Sequence, residues 1–236
     1  MATSKKPALP HWDANSPTLL ANLARVDVGV HSDAVLRVVP TLQRMREWHT
    51  VMMQGLDAES PDYVGRFRGE PGFAALAEDV EIAGVSGTHY SDVGAEVQIF
   101  ESRVQAAVAA LDALYPDANA LDEDGRDAVI ELAAYAHAEW VRIHPFINGN
   151  GRTSRIWSNL IMMRYGMPPV LSMRPRPAGR GYADAASACM SGDSAPLAAY
   201  LRKLYDAMVG VPPKAKAAPA KPGAIRKGPP KKTSSK

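Results

Sequence analysis

The chain has 236 residues, of which 46% are apolar, so it can bury one hydrophobic core. Its single cysteine, Cys189, excludes an intrachain disulfide and is interpreted as a small core residue. No apolar run approaches the length of a membrane span, and the N-terminal segment lacks the apolar stretch of a signal peptide. We therefore expect a cytoplasmic protein without a membrane partner.

The formal net charge of +2 is unevenly distributed along the chain. The last 27 residues contain eight basic and no acidic side chains, which leaves 19 basic against 25 acidic residues elsewhere, a net charge of −6. This Pro/Lys/Ala tail has too little apolar surface to order itself, and we interpret its lysines as solvated. Attraction to nucleic acid or an acidic partner is the weaker alternative. The expected segments are an N-terminal arm with a short helix, a single domain and the tail, over residues 1–31, 32–209 and 210–236.

The first predicted helices lie on either side of a proline. A short helix is predicted over residues 17–30, and a second helix is predicted to begin at Ser32, which can cap it. The apolar stripe of that second helix would include Val35, Leu36 and Val39. Pro40 must interrupt the pattern, because proline lacks an N–H and clashes with the preceding turn. A separate helix is therefore predicted over residues 42–56.

The middle of the chain predicts a β-hairpin followed by two long helices. Residues 80–85 alternate weakly in hydrophobicity and run into Ser86-Gly87, which is typical of a short hairpin. The two helices are predicted over residues 92–114 and 122–141, with Asp122 or Asp124 capping the second. His49 and His137 lie on predicted helices, and both are interpreted as structural residues, either packed or on the surface, and not as ligands or catalytic groups.

The stretch that carries chemistry is HPFINGNGRTSR, residues 144–155. Its two Asn-Gly pairs are typical of turns, and apolar residues at helical spacing follow it up to Gly166. The turn therefore leads into a helix N-terminus, where free N–H groups and the positive end of the helix dipole attract anions. Arg152 and Arg155 can reach the same anion, and His144 stands at its edge. The pattern predicts a phosphate-binding site beside a histidine.

These residues resemble the core motif of the Fic family, HPF-x-(Asp/Glu)-GNGR-x-x-R. The exception is Asn148, which stands where most members of the family carry a carboxylate. The resemblance extends from about Leu36 to Met208 and includes GRFRG at residues 65–69 and the tyrosine Tyr182 near the start of a short helix. It implies an all-α fold, a Fic-type helical bundle with a short β-hairpin flap.

The resemblance implies a nucleotidyltransferase that moves AMP from ATP to a Ser, Thr or Tyr hydroxyl of a target protein, the reaction called AMPylation. His144 would be the general base, since a histidine can remove the hydroxyl proton near neutral pH. The groups that hold the phosphates would be the N–H groups of Gly149, Asn150 and Gly151 and the guanidinium groups of Arg152 and Arg155. The flap would align the target by strand pairing. The flap residues expected to dock the target are Val80, Glu81, Ile82, Ala83 and Gly84.

Asn148 leaves several functions open. The family's carboxylate binds Mg²⁺ (or Mn²⁺), and Asn148 can offer only a neutral amide oxygen in its place. Transfer of AMP could be slowed, a different phosphate-containing group could be transferred, or the domain could act as a nucleotide-binding or interaction module. The segment from Thr50 to Gly55 resembles an inhibitory motif with Gln54 in place of its glutamate, but we interpret it as part of a core helix. A small antitoxin-like inhibitory protein remains a candidate partner.

Overall fold

The computed structural model describes residues 16–82 and 84–210. Residues 1–15 of the predicted arm and residues 211–236 of the predicted tail therefore fall outside the described residues, as does Ala83 of the flap. Within the described ranges the fold has seven α-helices and one two-stranded antiparallel sheet. The helices are α1 (Pro17–Val35), α2 (Leu42–Met53), α3 (Tyr90–Leu114), α4 (Glu123–Ile143), α5 (Asn150–Arg164), α6 (Arg180–Cys189) and α7 (Ala195–Val209). The strands are β1 (Glu81–Ile82) and β2 (Val85–Ser86). The prediction of an all-α bundle with a short hairpin is confirmed.

Helix α5 is the centre of the bundle. It is buried on nearly every side, and it packs against α4 along its length and against α1 on another face. Aromatic rings fill the space where α3, α4 and α5 meet: the Trp140 and Trp157 centroids are 5.6 Å apart, and Phe100 meets Trp157 edge-on at 5.0 Å. Large rings in edge-on contact pack densely and resist displacement. The first turn of α5 is therefore held on a rigid support.

The prediction that a second helix begins at Ser32 is wrong, because α1 runs without a break from Pro17 to Val35. Ser16 caps this helix by accepting a hydrogen bond from the Leu19 N–H at 3.1 Å, and no proline interrupts the sequence until Pro40. The first part of the predicted apolar stripe is also wrong, since Val35, Leu36 and Val39 are 65%, 71% and 51% exposed, whereas its continuation beyond Pro40 is buried.

The break at Pro40 and the following core helix are confirmed. Thr41 caps α2 by accepting from the Arg44 N–H at 3.1 Å, and α2 buries Met45, Trp48 and Met52. Gln54 ends this helix, and its side chain accepts a hydrogen bond from Arg25 at 2.9 Å. The segment resembling an inhibitory motif is therefore part of the core helix and its end.

The remaining elements match their predicted positions closely. Asp122 caps α4 by accepting from the Gly125 N–H at 2.7 Å, and β1 and β2 form the predicted hairpin. Cys189 is fully buried, and burial raises the pKa of its thiol to about 12, so the core interpretation is confirmed. None of the helices among the described residues is long and apolar enough to span a membrane.

Candidate active site

The turn between α4 and α5 is closed by the side chain of Asn150. The Asn150 Oδ1 accepts a hydrogen bond from the Phe146 N–H at 2.9 Å, and its Nδ2 donates to the Phe146 carbonyl at 2.7 Å. Trp140 of α4 adds a link across the turn by donating its indole N–H to Thr153 at 2.7 Å. Because all of these groups are buried, each bond replaces one that water would otherwise supply. The turn is thus fixed by its own side chains.

His49 of α2 supports this turn from beneath. Its ring stacks on Phe146 with centroids 3.8 Å apart, and its Nδ1 accepts from the Gly65 N–H at 2.9 Å. The proton is consequently on Nε2, which donates to the Asn148 carbonyl at 3.0 Å. Burial, reinforced by the positive charge of Arg152, lowers the pKa of His49 to about 3, so the ring is neutral. The sequence predicted a structural residue, but the contact with the turn spans 99 positions and had no local signal.

Gly149 lets the turn approach α2 closely. Its φ is +84°, and a Cβ at this position would lie 2.8 Å from the Met53 Cε and 3.1 Å from the His49 Nε2. A larger residue would combine left-handed strain with a clash. The first Asn-Gly pair, Asn148-Gly149, therefore provides the conformation that starts α5.

His144 ends α4 in the left-handed conformation, with φ 54° and ψ 58°. Its Nδ1 lies 3.3 Å from the Val141 carbonyl, which can only accept, so Nδ1 carries the proton and Nε2 has the free lone pair. Burial lowers the pKa of His144 to about 4, and the charge of Arg68 acts in the same direction. The imidazole is neutral at neutral pH and ready to accept a proton.

The N-terminus of α5, with its backbone N–H groups, lies close to His144. The Gly149 N–H donates to the Asn148 Oδ1 at 2.5 Å. Asn150 and Gly151 form the first turn of the helix, where N–H groups have no acceptor within the helix. Arg152 and Arg155 of the same helix are only 4% and 5% exposed. The arrangement concentrates positive potential at one end of a helix.

Arg155 is held by partners on two other segments. It donates to the Met173 carbonyl at 2.8 Å and to the Tyr182 hydroxyl of α6 at 3.3 Å. The Tyr182 oxygen is 3.0 Å from the His137 Nε2, and burial, with Arg155 and Arg176 nearby, lowers the pKa of His137 to about 3. A neutral His137 can accept a hydrogen bond from the Tyr182 hydroxyl. The tyrosine oxygen can in turn accept a hydrogen bond from Arg155. His137 is fully buried, and its link to Arg155 was not predicted.

Arg68 joins the end of α4 to both sides of the flap, a role that the sequence did not reveal. Its guanidinium donates to the carbonyls of Ile143 and His144 at 3.0 and 2.8 Å, and to those of Glu78 and Thr88 at 2.8 Å each. The side chain is 1% exposed. Burial lowers the pKa of this guanidinium, but arginine stays charged in proteins. One buried cation therefore fixes the backbone of His144 relative to the hairpin.

A cavity of about 410 Å³ lies beside the turn and is lined in part by His144, Arg152, Arg155 and Tyr182. Its lining combines the turn and α5 with residues from the flap, α6 and the loop before α6. The predicted site residues that reach it are His144, Asn148, Gly149, Asn150, Gly151, Arg152, Arg155 and Ile82. The flap residues Val80, Glu81 and Gly84 are not among those that line it. Additional lining residues are Val85, Arg174, Arg176 and Tyr182.

The protein groups in the cavity do not fit a resident Mg²⁺ ion. Asn148 offers one neutral oxygen, which already accepts from Gly149 and lies 3.4 Å from the Arg152 Nη2. In the part of the chain that is described, no three His, Cys, Asp or Glu side chains cluster as metal ligands would. Mg²⁺ in proteins is generally held by one or two carboxylates together with phosphates and water. Those carboxylates are missing from the described lining.

The fold and cavity define a helical domain in which the N-terminus of α5 lies beside a neutral histidine. The model of the Fic/DOC family matches residues 40–162, which is more than half of the chain, and the chain belongs to this family.

Sequence relatives match over short segments. Over 80 residues the chain is 42% identical to protein adenylyltransferase fic-1 of Caenorhabditis elegans, covering 34% of this chain and 15% of that protein. Over 42 residues it is 60% identical to protein adenylyltransferase Fic of Drosophila persimilis, covering 18% of this chain and 8% of the relative. The matches thus span only a small part of the curated relatives.

Solved structures show the same fold over most of the chain. A Fic domain containing signaling protein of Bacteroides thetaiotaomicron aligns with a TM-score of 0.56 at 18% identity, covering 84% of this chain and 73% of that one. A structure of Fic-1 from C. elegans aligns with a TM-score of 0.54 at 24% identity, covering 87% and 52%. At these identities the similarity concerns the fold.

Proposed function

We propose that this protein transfers AMP from ATP to a Ser, Thr or Tyr hydroxyl of a target protein. The observation that carries the proposal is the neutral imidazole of His144, with its Nε2 lone pair free, in one cavity with the α5 N-terminus. The relatives named protein adenylyltransferase support the same reaction. The ATP and the target hydroxyl are substrates in this proposal.

The chemistry follows from the protonation state of His144. The target hydroxyl attacks the α-phosphorus of ATP while its proton moves to the His144 Nε2. A new bond forms between the hydroxyl oxygen and the α-phosphorus, and the bond from that phosphorus to the bridging oxygen of the β-phosphate breaks. Pyrophosphate leaves with the electron pair of the broken bond. The histidine later returns its proton to solvent.

Hydrogen-bond donors at fixed positions on α5 would stabilise the negative charge that develops on the phosphates. The N–H groups of Asn150 and Gly151 would take this role, because they belong to the first turn of α5. Arg152 and Arg155 add guanidinium groups, which match phosphate oxygens in pairs. Since Tyr182 holds Arg155 in position, the donor requires little reorganisation when the nucleotide binds.

The flap would bring the target hydroxyl to His144. Ile82 and Val85, one from each strand, line the cavity together with His144. A Cβ placed on Gly87 would be 3.5 Å from the His144 Cβ, so the hairpin lies directly beside the proposed base. An extended target segment that pairs with residues 80–84 would be positioned by its backbone, whatever its side chains.

Asn148 favours a second candidate function, a nucleotide-binding module without useful turnover. The proposed divalent cofactor, Mg²⁺ or Mn²⁺, would have to be held mainly by the nucleotide phosphates, because no carboxylate lies among the described residues that line the cavity. A separate inhibitory protein remains a proposed partner. Gln54, which stands at the glutamate position of the inhibitory motif, is hydrogen-bonded to Arg25 and is not among the described partners of Arg155.

One labelling experiment tests the enzyme proposal against the module. The protein is incubated with α-labelled ATP, cell lysate and Mg²⁺ or Mn²⁺, beside His144→Ala and the control His31→Ala on the exposed surface of α1. We expect labelled target protein with the wild type and His31→Ala, and a loss of about 100-fold or more with His144→Ala. Nucleotide binding without label in any sample would favour the module, and neither binding nor label would refute both.

A further inference from the structure

We propose that His137 is a positioning residue for nucleotide binding, which acts through the Tyr182 hydroxyl on the guanidinium of Arg155. This role rests on the proposed function, which makes ATP the ligand of Arg155. It belongs to a buried histidine that takes no part in the proton transfer to His144. The three side chains His137, Tyr182 and Arg155 are called the relay below.

The relay holds Arg155 in place with neutral oxygen atoms. The Arg155 guanidinium donates to the Met173 carbonyl at 2.8 Å and to the Tyr182 hydroxyl at 3.3 Å. Both of these partners are uncharged, so they fix the direction of the guanidinium without cancelling its charge. A carboxylate in either place would compete with a phosphate for the same N–H groups. The charge of Arg155 can therefore act on an anionic ligand from a fixed position.

The Tyr182 hydroxyl lies between two nitrogen groups, and their chemistry fixes its orientation. Arginine has only donors, so the Tyr182 oxygen accepts from Arg155. The Tyr182 hydrogen can then be donated to the His137 Nε2, which lies 3.0 Å away. Burial, with Arg155 and Arg176 nearby, lowers the pKa of His137 to about 3, so its ring is neutral and Nε2 can accept. His137 thus determines the direction in which the hydroxyl points.

The other ring nitrogen of His137 shows that packing alone does not account for an imidazole at this position. Nδ1 is buried and has no hydrogen-bond partner among the described residues. Burying an N–H group without an acceptor lowers stability, and an apolar side chain of similar size would avoid that cost. The benefit of the imidazole is therefore the bond that its Nε2 accepts from Tyr182.

The relay ends beside the N-terminus of α5. A Cβ placed on Gly151 would lie 3.4 Å from the Arg155 Nη1, so the guanidinium lies against the first turn of that helix. All three relay residues line the cavity that His144 also lines. His137 precedes His144 by seven residues, about 10 Å along the axis of α4. The relay would therefore act on the β- and γ-phosphates and not at the attacked α-phosphorus.

The test is calorimetric titration of the full chain with ATP and, separately, with AMP, which lacks the β- and γ-phosphates. His137→Leu removes the acceptor, and we expect the Kd of ATP to rise about tenfold while the Kd of AMP changes by less than about threefold. His137→Gln offers a side-chain oxygen to the Tyr182 hydroxyl, so its loss for ATP should be smaller. His31→Leu, on the exposed surface of α1, is the matched control and should change neither Kd. An unchanged Kd of ATP in His137→Leu, or equal losses for ATP and AMP, would overturn the positioning role and leave the proposed function in place.

A double-variant cycle shows whether His137 acts through Tyr182. Tyr182→Phe removes only the hydroxyl, and we expect it to raise the Kd of ATP about as much as His137→Leu does. Because either change breaks the same relay, the double variant should bind ATP at most about threefold more weakly than Tyr182→Phe alone. Additive losses, a rise of about 100-fold in the double variant, would show that His137 acts independently of Tyr182 and would overturn the relay. If His137→Leu did not fold, His137→Phe would replace it with the same expected results. Absence of ATP binding by the wild type would remove the proposed function together with the relay.

Discussion

His144 combines two roles at one position because of its backbone conformation. In the left-handed conformation it ends α4, and its own N–H still bonds to the Trp140 carbonyl at 2.9 Å. The same geometry brings Nδ1 toward the Val141 carbonyl, which fixes the tautomer. A non-glycine residue in this conformation carries strain, which the surrounding packing must hold. The strain is thus localised at the proposed base.

The depressed pKa of His144 predicts an unusual pH profile for target labelling. A general base must be unprotonated, so the rate falls as the pH falls through its pKa. With a pKa of about 4 in the free protein, we expect kcat/KM for ATP to stay nearly constant from pH 8 to about 5 and to be halved near pH 4. An initial-rate series checks this, and a midpoint near 6.5, the ordinary value for histidine, would contradict it.

At the scale of elements, the active turn is positioned by segments that come long before it in the chain. The loop after α2 carries Arg68, whose N–H donates to the Pro145 carbonyl at 2.7 Å while its side chain bonds to the end of α4. Helix α2 itself carries His49 beneath the turn. The α4–turn–α5 unit is consequently fixed from two directions.

Arg68→Lys tests whether this positioning matters for chemistry. A lysine retains the buried charge, but its compact head cannot bond to carbonyls at the end of α4 and on both sides of the flap. We expect kcat for labelling to fall by about tenfold or more, while the KM for ATP changes by less than about threefold, since the arginines on α5 remain. Arg142→Lys, in the last turn of α4, is the matched control and should change neither constant. Equal effects of Arg68→Lys on kcat and KM would indicate a general structural defect instead.

At the scale of the whole molecule, the local patterns of the sequence predicted most of the helices and the residues that form the turn between α4 and α5. Caps such as Asp122, the break at Pro40 and the apolar spacing of α5 are short-range signals, and the structure follows them. The supports of the turn were not predicted, because the contacts of His49 and Arg68 join residues 99 and 76 positions apart. The error in α1 has a similar cause. The expected break before Ser32 does not occur, and Gly29 allows α1 to approach Trp48, whose Nε1 would lie 3.3 Å from a Cβ there.

The bundle buries two neutral histidines, and this links its global stability to pH. His49 and His137 are fully buried, and burial lowers the pKa of each to about 3. An unfolded histidine takes up a proton below about pH 6.5, whereas these two remain unprotonated in the fold until about pH 3. Their contribution to stability is therefore complete above pH 6.5 and is lost as the pH falls from 6.5 toward 3. Each lowers the free energy of unfolding by about 1.4 kcal/mol per pH unit within that window.

His49→Gln isolates the contribution of one histidine to the pH dependence of the free energy of unfolding. Glutamine keeps a donor for the Asn148 carbonyl and an acceptor for the Gly65 N–H, but it does not titrate. We expect the variant to be less stable than the wild type at pH 7, because the stacking on Phe146 is lost. Its stability should then decline less steeply between pH 6 and 4, by about 1.4 kcal/mol per pH unit. Urea titrations at a series of pH values measure both quantities, with His31→Gln on the exposed face of α1 as the control. If the slope of His49→Gln matched that of the wild type, the buried imidazole would have to be protonated in the folded protein, and the hydrogen bond from the Gly65 N–H to its Nδ1 could not exist.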